Sequence, residues 1–319
     1  MFNHQPVLLN ETMEILVNTP GSRFVDATLG AGGHAEALLT RRPDAHLLGL
    51  DRDINAIQNA SERLRQFGNR FKALHTNFSN LCEAIRQAGW NFADAILLDI
   101  GVSSPQIDDP NRGFSFRFDG PLDMRMNQEE GTTAADILNN ASEKELADIF
   151  YKYGEELKSR KIAAEVVRRR QTAPWKTTSE FNELLERIVG RAHQHGLPPA
   201  TRCFQALRIA VNNELEELKS ALAQAIDCIA IGGRIAVISF HSLEDRIVKN
   251  FLKEQAATCT CPPGMPICTC NKIQTIDIIT RKPITATEEE IKENPRAASA
   301  KLRAATIINH SIQEERERQ

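Results

Sequence analysis

Glycine and acidic residues follow two short apolar segments early in the sequence, where they could bind a nucleotide. The glycine-rich segment 30–33 (Gly-Ala-Gly-Gly) comes after the apolar residues Phe24, Val25 and Ala27, and Asp51 directly follows the apolar segment 47–50. A glycine turn that opens a helix presents free backbone N–H groups, and an acid ending the next strand can accept hydrogen bonds from ribose hydroxyls. This spacing predicts a nucleotide-type cofactor site.

The residues around the glycine turn bear on which nucleotide it would bind. Gly30, Gly32 and Ala35 satisfy the G-x-G-x-x-G/A pattern of NAD enzymes, which alone is weak evidence. Asp26, four residues before the first glycine, stands where a dehydrogenase strand is normally apolar, and it could receive an ammonium group instead. The arrangement resembles the first motifs of class I S-adenosylmethionine-dependent methyltransferases. A nicotinamide-dependent oxidoreductase is the competing interpretation.

Three more candidate side chains follow later predicted strands. Because ligands of open α/β sheets bind beyond the carboxyl ends of the strands, we expect them near the glycine turn. Phe78 follows the third strand and could pack against an adenine ring, and Asp99 ends the fourth. His241 follows the fifth strand and could do acid–base chemistry, although capping of the next helix by Ser242 explains that segment equally well.

The elements that must position these residues alternate between strand and helix up to residue 99, which predicts a doubly wound parallel sheet. No convincing strand occurs over 104–199, where helices are predicted at 142–153, 156–171 and 179–192. One long amphipathic helix is then expected over 204–226, ended by Gly232 and Gly233, before a strand at 234–240 and two antiparallel strands at 273–279 and 302–308. We therefore predict an α/β domain formed by residues 1–107 and 201–319, with an inserted helical domain at 108–200.

The predicted insertion carries two features that could contact nucleic acid. Phe114 and Phe116 alternate with basic residues in segment 112–126, which could stack bases or simply fold with both rings buried. A local excess of positive charge lies within a chain of net charge −3. Its members are Lys158, Arg160, Lys161, Arg168, Arg169, Arg170 and Lys176. A solvated helix face with ion pairs is the alternative explanation.

Cysteine usage and hydropathy indicate the compartment. Seven cysteines in 319 residues favour a reducing cytosol over a disulfide scaffold, and no apolar segment is long enough to span a bilayer, so a cytoplasmic protein is expected. Four of the cysteines form two C-x-C pairs, Cys259 with Cys261 and Cys268 with Cys270. Zinc binding, redox sensitivity and loop stapling all remain open for them, and we assign no metal to the site.

Several motifs in order extend the resemblance over most of the chain, from about residue 4 to residue 303. They are segments 30–34 (GAGGH), 51–53 (DRD), 97–106 (LLDIGVSSPQ), 113–116 (GFSF), 120–126 (GPLDMRM) and 239–246 (SFHSLEDR). Together they resemble the RsmH (MraW) family of bacterial 16S rRNA (cytosine-N4)-methyltransferases. The [Asn/Asp/Ser]-Pro-Pro-aromatic loop of many amino-group methyltransferases is absent, since Ile100 and Gly101 follow Asp99.

The resemblance implies a class I methyltransferase with a Rossmann-like sheet, a helical insertion that recognises rRNA, and S-adenosyl-L-methionine as methyl donor. The substrate would be a cytosine in the decoding centre of 16S rRNA in the small ribosomal subunit. The implied cofactor contacts are Gly32, Gly33, His34, Asp51, Phe78, Asp99 and Gln106. Asp99 and His241 are the candidate catalytic residues. Methylation of another nucleic-acid amino group and non-catalytic RNA binding are the alternatives, and the oligomeric state is left open, a homodimer included.

Overall fold

A computed structural model describes residues 6–190, 199–262 and 268–310. The strands are β1 (Arg23–Asp26), β2 (His46–Asp51), β3 (Phe71–His75), β4 (Ala93–Asp99), β5 (Ile229–Ser239), β6 (Ile276–Ile278) and β7 (Lys301–Ile307). The helices are α1 (Leu9–Val17), α2 (Gly33–Arg41), α3 (Ile54–Arg63), α4 (Leu81–Gln87), α5 (Ser104–Asp108), α6 (Ala134–Asn140), α7 (Glu143–Lys152), α8 (Ser159–Arg170), α9 (Thr178–Val189), α10 (Pro199–Asn212), α11 (Glu214–Cys228), α12 (Ser242–Gln255) and α13 (Glu288–Glu293). Short 3-10 turns lie at Arg65–Arg70, Phe78–Asn80, Pro110–Arg112 and Pro295–Ser299.

The strands form one sheet in the order β3-β2-β1-β4-β5-β7-β6. Strands β1 to β5 pair in parallel, whereas β7 is antiparallel to both β5 and β6. The strand order reverses between β1 and β4, and this switch point is where ligands of doubly wound sheets bind, beyond the carboxyl ends of the strands. The predicted α/β fold class, a doubly wound sheet with parallel central strands, is confirmed.

Helices cover both faces of this sheet. Successive residues of a strand point to opposite faces, so each central strand packs against helices on both sides. Ala95 and Leu97 of β4 belong to the core cluster that also contains side chains of α1, α2 and α3. Ile96 and Leu98 belong to the cluster that contains side chains of α4, α11 and α12. Burial on both faces explains why these strands read as continuous apolar segments in the sequence.

The chain divides into two compact units, one of residues 1–101 and 215–319 and the other of residues 102–214. The second unit is helical and has its own core, in which Phe181 contacts the rings of Phe150, Trp175 and Phe204. The predicted boundaries lay at 107/108 and 200/201. Helix α10 belongs to the helical unit because Phe204 and its neighbour Leu207 are buried in that unit's core.

The single helix expected over 204–226 is wrong, since the structure has α10 and α11 separated by Asn213. Asn213 has a φ of 50°, a left-handed conformation that asparagine tolerates better than most residues. The two glycines expected to end that helix instead lie inside β5. An added Cβ at Gly233 would lie 2.5 Å from the Asp94 carbonyl oxygen of the neighbouring strand, so this close approach requires glycine.

Helices α7 and α9 of the helical unit each begin with a capping box. Thr177 caps α9 and forms its box with Glu180, and Ser142 caps α7 and forms its box with Glu145. The end of the predicted helix at residues 191 and 192 lies outside the described residues. Among the helices that the structure describes, none is long and apolar enough to cross a membrane.

Candidate functional site

The glycine turn and Asp51 are joined directly. One carboxylate oxygen of Asp51 accepts a hydrogen bond from Gly30 N at 2.8 Å, and the other accepts one from Asp53 N at 2.8 Å. Asp53 in turn caps α3 through Asn55 N. The end of β2 thus holds the turn that follows β1 in place, and each oxygen of Asp51 keeps a second lone pair for another donor. Burial raises the pKa of Asp51, against the lowering by these backbone donors.

The glycines of the turn are required by its backbone. Gly32 has a φ of 76° and precedes α2, and Gly30 has a φ of 50°. An added Cβ at Gly33 would lie 2.4 Å from Pro6 Cγ, whereas the nearest atom to an added Cβ at Gly30 is Thr28 O at 3.9 Å. The side of the turn at Gly30 is therefore free of protein atoms, and a ligand can approach the backbone closely there.

Asp26, His34 and Asp99 form a largely buried acidic group at the switch point of the sheet, in which the Asp99 side chain is 24% exposed. His34 Nε2 lies 3.5 Å from an Asp99 carboxylate oxygen, and Asp26 is 3% exposed. Burial raises the pKa of Asp26 to about 7; the His34 ring opposes this rise and the Asp99 carboxylate adds to it. A cation brought to this group would favour its ionised form.

Unpartnered polar atoms mark the same place. Both ring nitrogens of His34 and one carboxylate oxygen of Asp99 are buried without a hydrogen bond to the protein. Buried polar atoms of this kind are costly unless a partner completes them. A polar ligand that reaches the end of β4 would supply such partners, and these atoms therefore fit a cofactor with an amino-acid portion.

Sequence analysis gave Thr28 no role of its own, although it links the ends of β1 and β4. Its hydroxyl accepts a hydrogen bond from Asp99 N at 2.6 Å, and its own backbone N donates to Asp26 at 3.2 Å. Its position two residues after an acidic strand end was the available signal for this role.

We expect the raised pKa of Asp26 to make the free energy of unfolding depend on pH. Because the native pKa lies above the unfolded value, the native state keeps a proton that the unfolded chain has lost, and this contribution to stability falls as pH rises from about 4 to about 7. Measured by urea unfolding, the stability of the wild type relative to Asp26→Asn should drop by roughly 2–3 kcal/mol between about pH 5 and about pH 7. A constant difference would contradict a raised pKa.

Two other predicted cofactor contacts occupy different surroundings. Phe78 begins a 3-10 turn capped by Asn77 and is 7% exposed, packed in the core cluster on the α4 face of the sheet. It can offer a ligand only the small part of its ring that reaches the surface. Gln106 belongs to the helical unit, where its side-chain oxygen accepts a hydrogen bond from Ser103 N at 3.0 Å and closes the capping box of α5.

His241, not Ser242, caps α12. Its Nδ1 accepts a hydrogen bond from Glu244 N at 3.4 Å, while a Glu244 carboxylate oxygen accepts from Phe240 N at 2.8 Å and from His241 N at 3.2 Å. Its other ring nitrogen lies 3.0 Å from the second oxygen of Glu244, a fully buried side chain. The ring is thus held between the helix start and a buried acid.

Substitution of His241 is expected to separate capping from ring chemistry. Asparagine keeps a side-chain acceptor suited to a helix start, whereas alanine does not, so His241→Ala should lower the free energy of unfolding by about 1 kcal/mol more than His241→Asn. Denaturant unfolding of both variants measures this difference. Equal losses would show that the acceptor at this position does not stabilise α12.

The aromatic and basic segment 112–126 of the helical unit is partly buried. Phe114 and Phe116 pack against the unit's core, and Arg112 is buried, donating to the carbonyl oxygens of Arg125 and Met126. Phe118, which sequence analysis did not single out, is 55% exposed. Phe114 and Phe116 are thus partly buried against the core, which favours the interpretation of this segment as a folded loop without burying either ring fully.

Comparison with known proteins decides the family. A model of the MraW methylase family matches residues 1–308. The chain belongs to this family. The protein named ribosomal RNA small subunit methyltransferase H of Trichlorobacter lovleyi is 51% identical over 306 residues, which cover 95% of this chain and 98% of that protein. The protein of the same name from Carboxydothermus hydrogenoformans is 48% identical over 308 residues, covering 97% of this chain and 99% of that protein.

Membership of the MraW methylase family confirms the resemblance drawn from the sequence motifs. Among solved structures, an rRNA methylase from Streptococcus thermophilus is similar at a TM-score of 0.41 and 10% identity, covering 94% of each chain. The MraW family match covers the residues of both compact units, 102–214 included.

Proposed function

We propose that this chain methylates the N4 amino group of a cytosine in the decoding centre of 16S rRNA, with S-adenosyl-L-methionine as the methyl donor. The observation that carries the proposal is the 51% identity, over nearly the whole chain, to a protein named ribosomal RNA small subunit methyltransferase H. The buried acidic group and the glycine turn support it, because they suit a cofactor with both a ribose and an amino-acid portion.

Different residues at the strand ends would contact different parts of the cofactor. Backbone groups of Gly32 and Gly33 and the open side of the turn would hold the chain between ribose and amino acid, and Asp51 would accept the ribose hydroxyls. Asp26 would face the ammonium group, which favours its ionised form. His34 and Asp99 would complete the polar contacts near the reacting centre. Phe78 and Gln106 remain predicted contacts, the former limited to the exposed part of its ring.

The reaction requires the protein mainly to align the cytosine amine with the methyl carbon. When bound, S-adenosyl-L-methionine supplies an activated methyl group on a sulfonium. The lone pair of the cytosine amine is delocalised into the ring, so the amine is a poor nucleophile and must be held in line with the methyl carbon. A carboxylate oxygen of Asp99 can accept a hydrogen bond from the amine and orient its lone pair.

The proton balance follows from the same arrangement. As the N4–carbon bond forms and the sulfur–carbon bond breaks, positive charge appears on N4 and one of its protons becomes acidic. A strong base is therefore unnecessary, and a carboxylate with a free lone pair, such as that of Asp99, suffices. His241 is the second candidate for this step, although its Nδ1 already caps α12. The target base must leave its stack to reach the strand ends.

The helical unit is the proposed rRNA-recognition surface. Fewer of its basic side chains are available to bind RNA than the sequence suggests. Within the described part of the unit, several of the seven basic residues make contacts inside it. Arg170 donates to the carbonyl oxygens of Leu138 and Ala141, and Lys158 donates to that of Ile188. Arg169 lies over the Trp175 ring at 3.9 Å and pairs with Glu180, and Arg168 pairs with Glu165. Arg160, Lys161 and Lys176 are exposed.

Neutralising exposed cations should weaken rRNA binding in a salt-dependent way. We expect Arg160→Ala with Lys161→Ala to lower the slope of log affinity against log salt concentration by about two, because each phosphate contact contributes roughly one. Filter binding of small-subunit RNA over a range of salt concentrations measures the slope. Arg65→Ala, which removes a similarly exposed cation from the other unit, is the control. An unchanged slope in the double variant would show that Arg160 and Lys161 do not contact the RNA.

Transfer of a tritiated methyl group to small ribosomal subunits tests the proposal. Subunits from cells that lack the enzyme should accept label from the wild type and not from Asp99→Ala. A non-catalytic RNA-binding protein would give no label with either protein, and a nicotinamide-dependent oxidoreductase would bind NAD in calorimetry and transfer nothing. The cytoplasm is the proposed compartment, since the substrate is assembled there.

A further inference from the structure

The four cysteines of the two C-x-C pairs lie on a loop that leaves the sheet domain and returns to its starting point. Helix α12 ends at Gln255, and Thr275 N donates a hydrogen bond back to the Gln255 carbonyl oxygen at 3.0 Å. The Thr275 hydroxyl also bonds to the side-chain oxygen of Gln255 at 2.8 Å. We call residues 256–274 the cysteine loop; its residues 263–267 lie outside the described part of the chain.

The four thiols of this loop converge on one point. The ligand atoms of Cys259, Cys261, Cys268 and Cys270 all lie within 4.8 Å of one another. Cys268 Sγ lies 3.5 Å from Cys259 Sγ, 3.8 Å from Cys261 Sγ and 3.5 Å from Cys270 Sγ, and the sulfurs of Cys270 and Cys259 are 3.8 Å apart. Each C-x-C pair therefore contributes two sulfurs to a compact cluster of four.

These separations fit a single tetrahedral metal ion. With metal–sulfur bonds of about 2.3 Å, the sulfurs of a tetrahedral zinc site are about 3.8 Å apart. A disulfide needs about 2.05 Å, and all four cysteines are free thiols. A polynuclear iron–sulfur cluster would attach its thiolates to different iron atoms and so hold them farther apart.

Backbone donors are aimed at the sulfurs. Thr260 N donates to Cys270 Sγ at 3.3 Å, and Cys261 N donates to Cys259 Sγ at 3.3 Å. Such contacts stabilise negative charge on sulfur, which a tetrathiolate site requires because four thiolates around one divalent cation carry a net negative charge. The loop therefore presents its sulfurs as metal ligands and orients them with its own backbone.

The described part of the loop has no apolar core that could hold this shape. None of its described residues, 256–262 and 268–274, is buried. A segment without buried apolar surface cannot offset the entropy of ordering unless a cross-link or a metal does so. Four sulfurs that converge on one point would let a bound metal supply that cross-link.

We propose that Cys259, Cys261, Cys268 and Cys270 bind one structural zinc ion that folds the cysteine loop. Binding displaces the protons of those cysteines that are still thiols, and no electron is transferred. All four positions are filled by protein sulfur, so the ion has no open site for substrate. The ion fixes the described residues of the loop, 256–262 and 268–274, at the end of α12 and takes no part in methyl transfer.

Metal analysis of the full chain, purified under reducing conditions without chelator, tests this site. We expect about one zinc per chain in the wild type. Cys268→Ser and Cys261→Ser should each lose stoichiometric zinc, whereas Cys82→Ser, which removes a thiol outside the loop, should keep it. Far-UV circular dichroism and binding of the demethylated cofactor establish that each variant is folded.

Cobalt supplies a readout that needs no variant. Wild-type protein stripped of metal and titrated with Co²⁺ should develop the visible bands of a tetrahedral cobalt thiolate, and chelation should make the chain cleavable by trypsin at Lys272. Absence of stoichiometric zinc together with absence of these bands would overturn the proposal, as would disulfides among the four cysteines in reduced protein. Zinc retained by both serine variants at the wild-type level would overturn it too.

Discussion

Replacing Asp99 with asparagine is expected to lower the rate of methyl transfer about 100-fold or more, the range typical of a positioned proton-accepting group. Asparagine has almost the same shape but lacks the negative charge that would hold the amine and take up its proton. One carboxylate oxygen of Asp99 is buried without a protein partner, and the other faces His34. Single-turnover transfer to small subunits at saturating cofactor measures the effect.

A matched carboxylate elsewhere in the sheet is the control for this variant. Asp277→Asn changes an exposed acid on the edge strand β6 and should leave the rate within about 2-fold of the wild type, because surface substitutions usually have small effects. Calorimetry with the demethylated cofactor separates a loss of chemistry from a loss of binding. An Asp99→Asn protein that transfers methyl at the control's rate would remove Asp99 from the reaction.

The second large effect is expected at Asp51, on cofactor affinity. Asp51→Ala removes the acceptor for ribose and also the two backbone hydrogen bonds that hold Gly30 N and Asp53 N. Hydrogen bonds to a charged group contribute about 1.5–3 kcal/mol each, so losing them should raise the dissociation constant of the demethylated cofactor about 100-fold or more.

An intermediate variant shows how much of that loss is due to charge. Asp51→Asn retains one acceptor oxygen and should bind more tightly than Asp51→Ala but less tightly than the wild type. Asp44→Ala changes an exposed acid in the loop that precedes β2, at the opposite end of that strand, and should bind like the wild type. Affinity of Asp51→Ala equal to that of Asp44→Ala would place the ribose site elsewhere.

The sheet could be predicted from the sequence because its central strands are buried on both faces. Segments such as 95–98 read as short apolar runs, and their alternation with helices implies parallel strands with crossovers. The glycine turn and the acids at the strand ends followed from that topology. The sequence predicted that Asp51 lies near the glycine turn, where it bonds to Gly30 N. The hydrogen bond between Asp99 N and the Thr28 hydroxyl joins residues distant in sequence, and no sequence pattern predicted it.

The break at Asn213 shows what periodicity misses. The apolar spacing from Phe204 to Ile226 is continuous, so a single helix was the natural prediction. The first part packs in the core of the helical unit and the second against the sheet, and this division depends on tertiary packing. A residue in the left-handed conformation between two helices does not interrupt the spacing of the apolar residues, so the spacing cannot reveal it.

Charge and cysteine patterns were hardest to interpret from sequence alone. The basic cluster of the insertion overstated the free positive charge, because Arg170 and Lys158 bind carbonyl oxygens at the ends of neighbouring helices. The C-x-C spacing departs from common zinc motifs, so the sequence left the role of the four cysteines open. The sulfur-to-sulfur distances favour a metal, and they depend on how the loop folds back on itself, which the spacing does not show.

Nucleoside analysis of the methylated RNA tests the central proposal most directly. Small subunits from cells lacking the enzyme would be incubated with the wild-type chain and S-adenosyl-L-methionine, and the 16S rRNA digested and separated by liquid chromatography with mass spectrometry. The account predicts one new nucleoside, N4-methylcytidine, from a decoding-centre fragment, and none with Asp99→Asn in the same single-turnover time. Methyl on a different base or atom, or an unmodified digest from intact subunits, would contradict it.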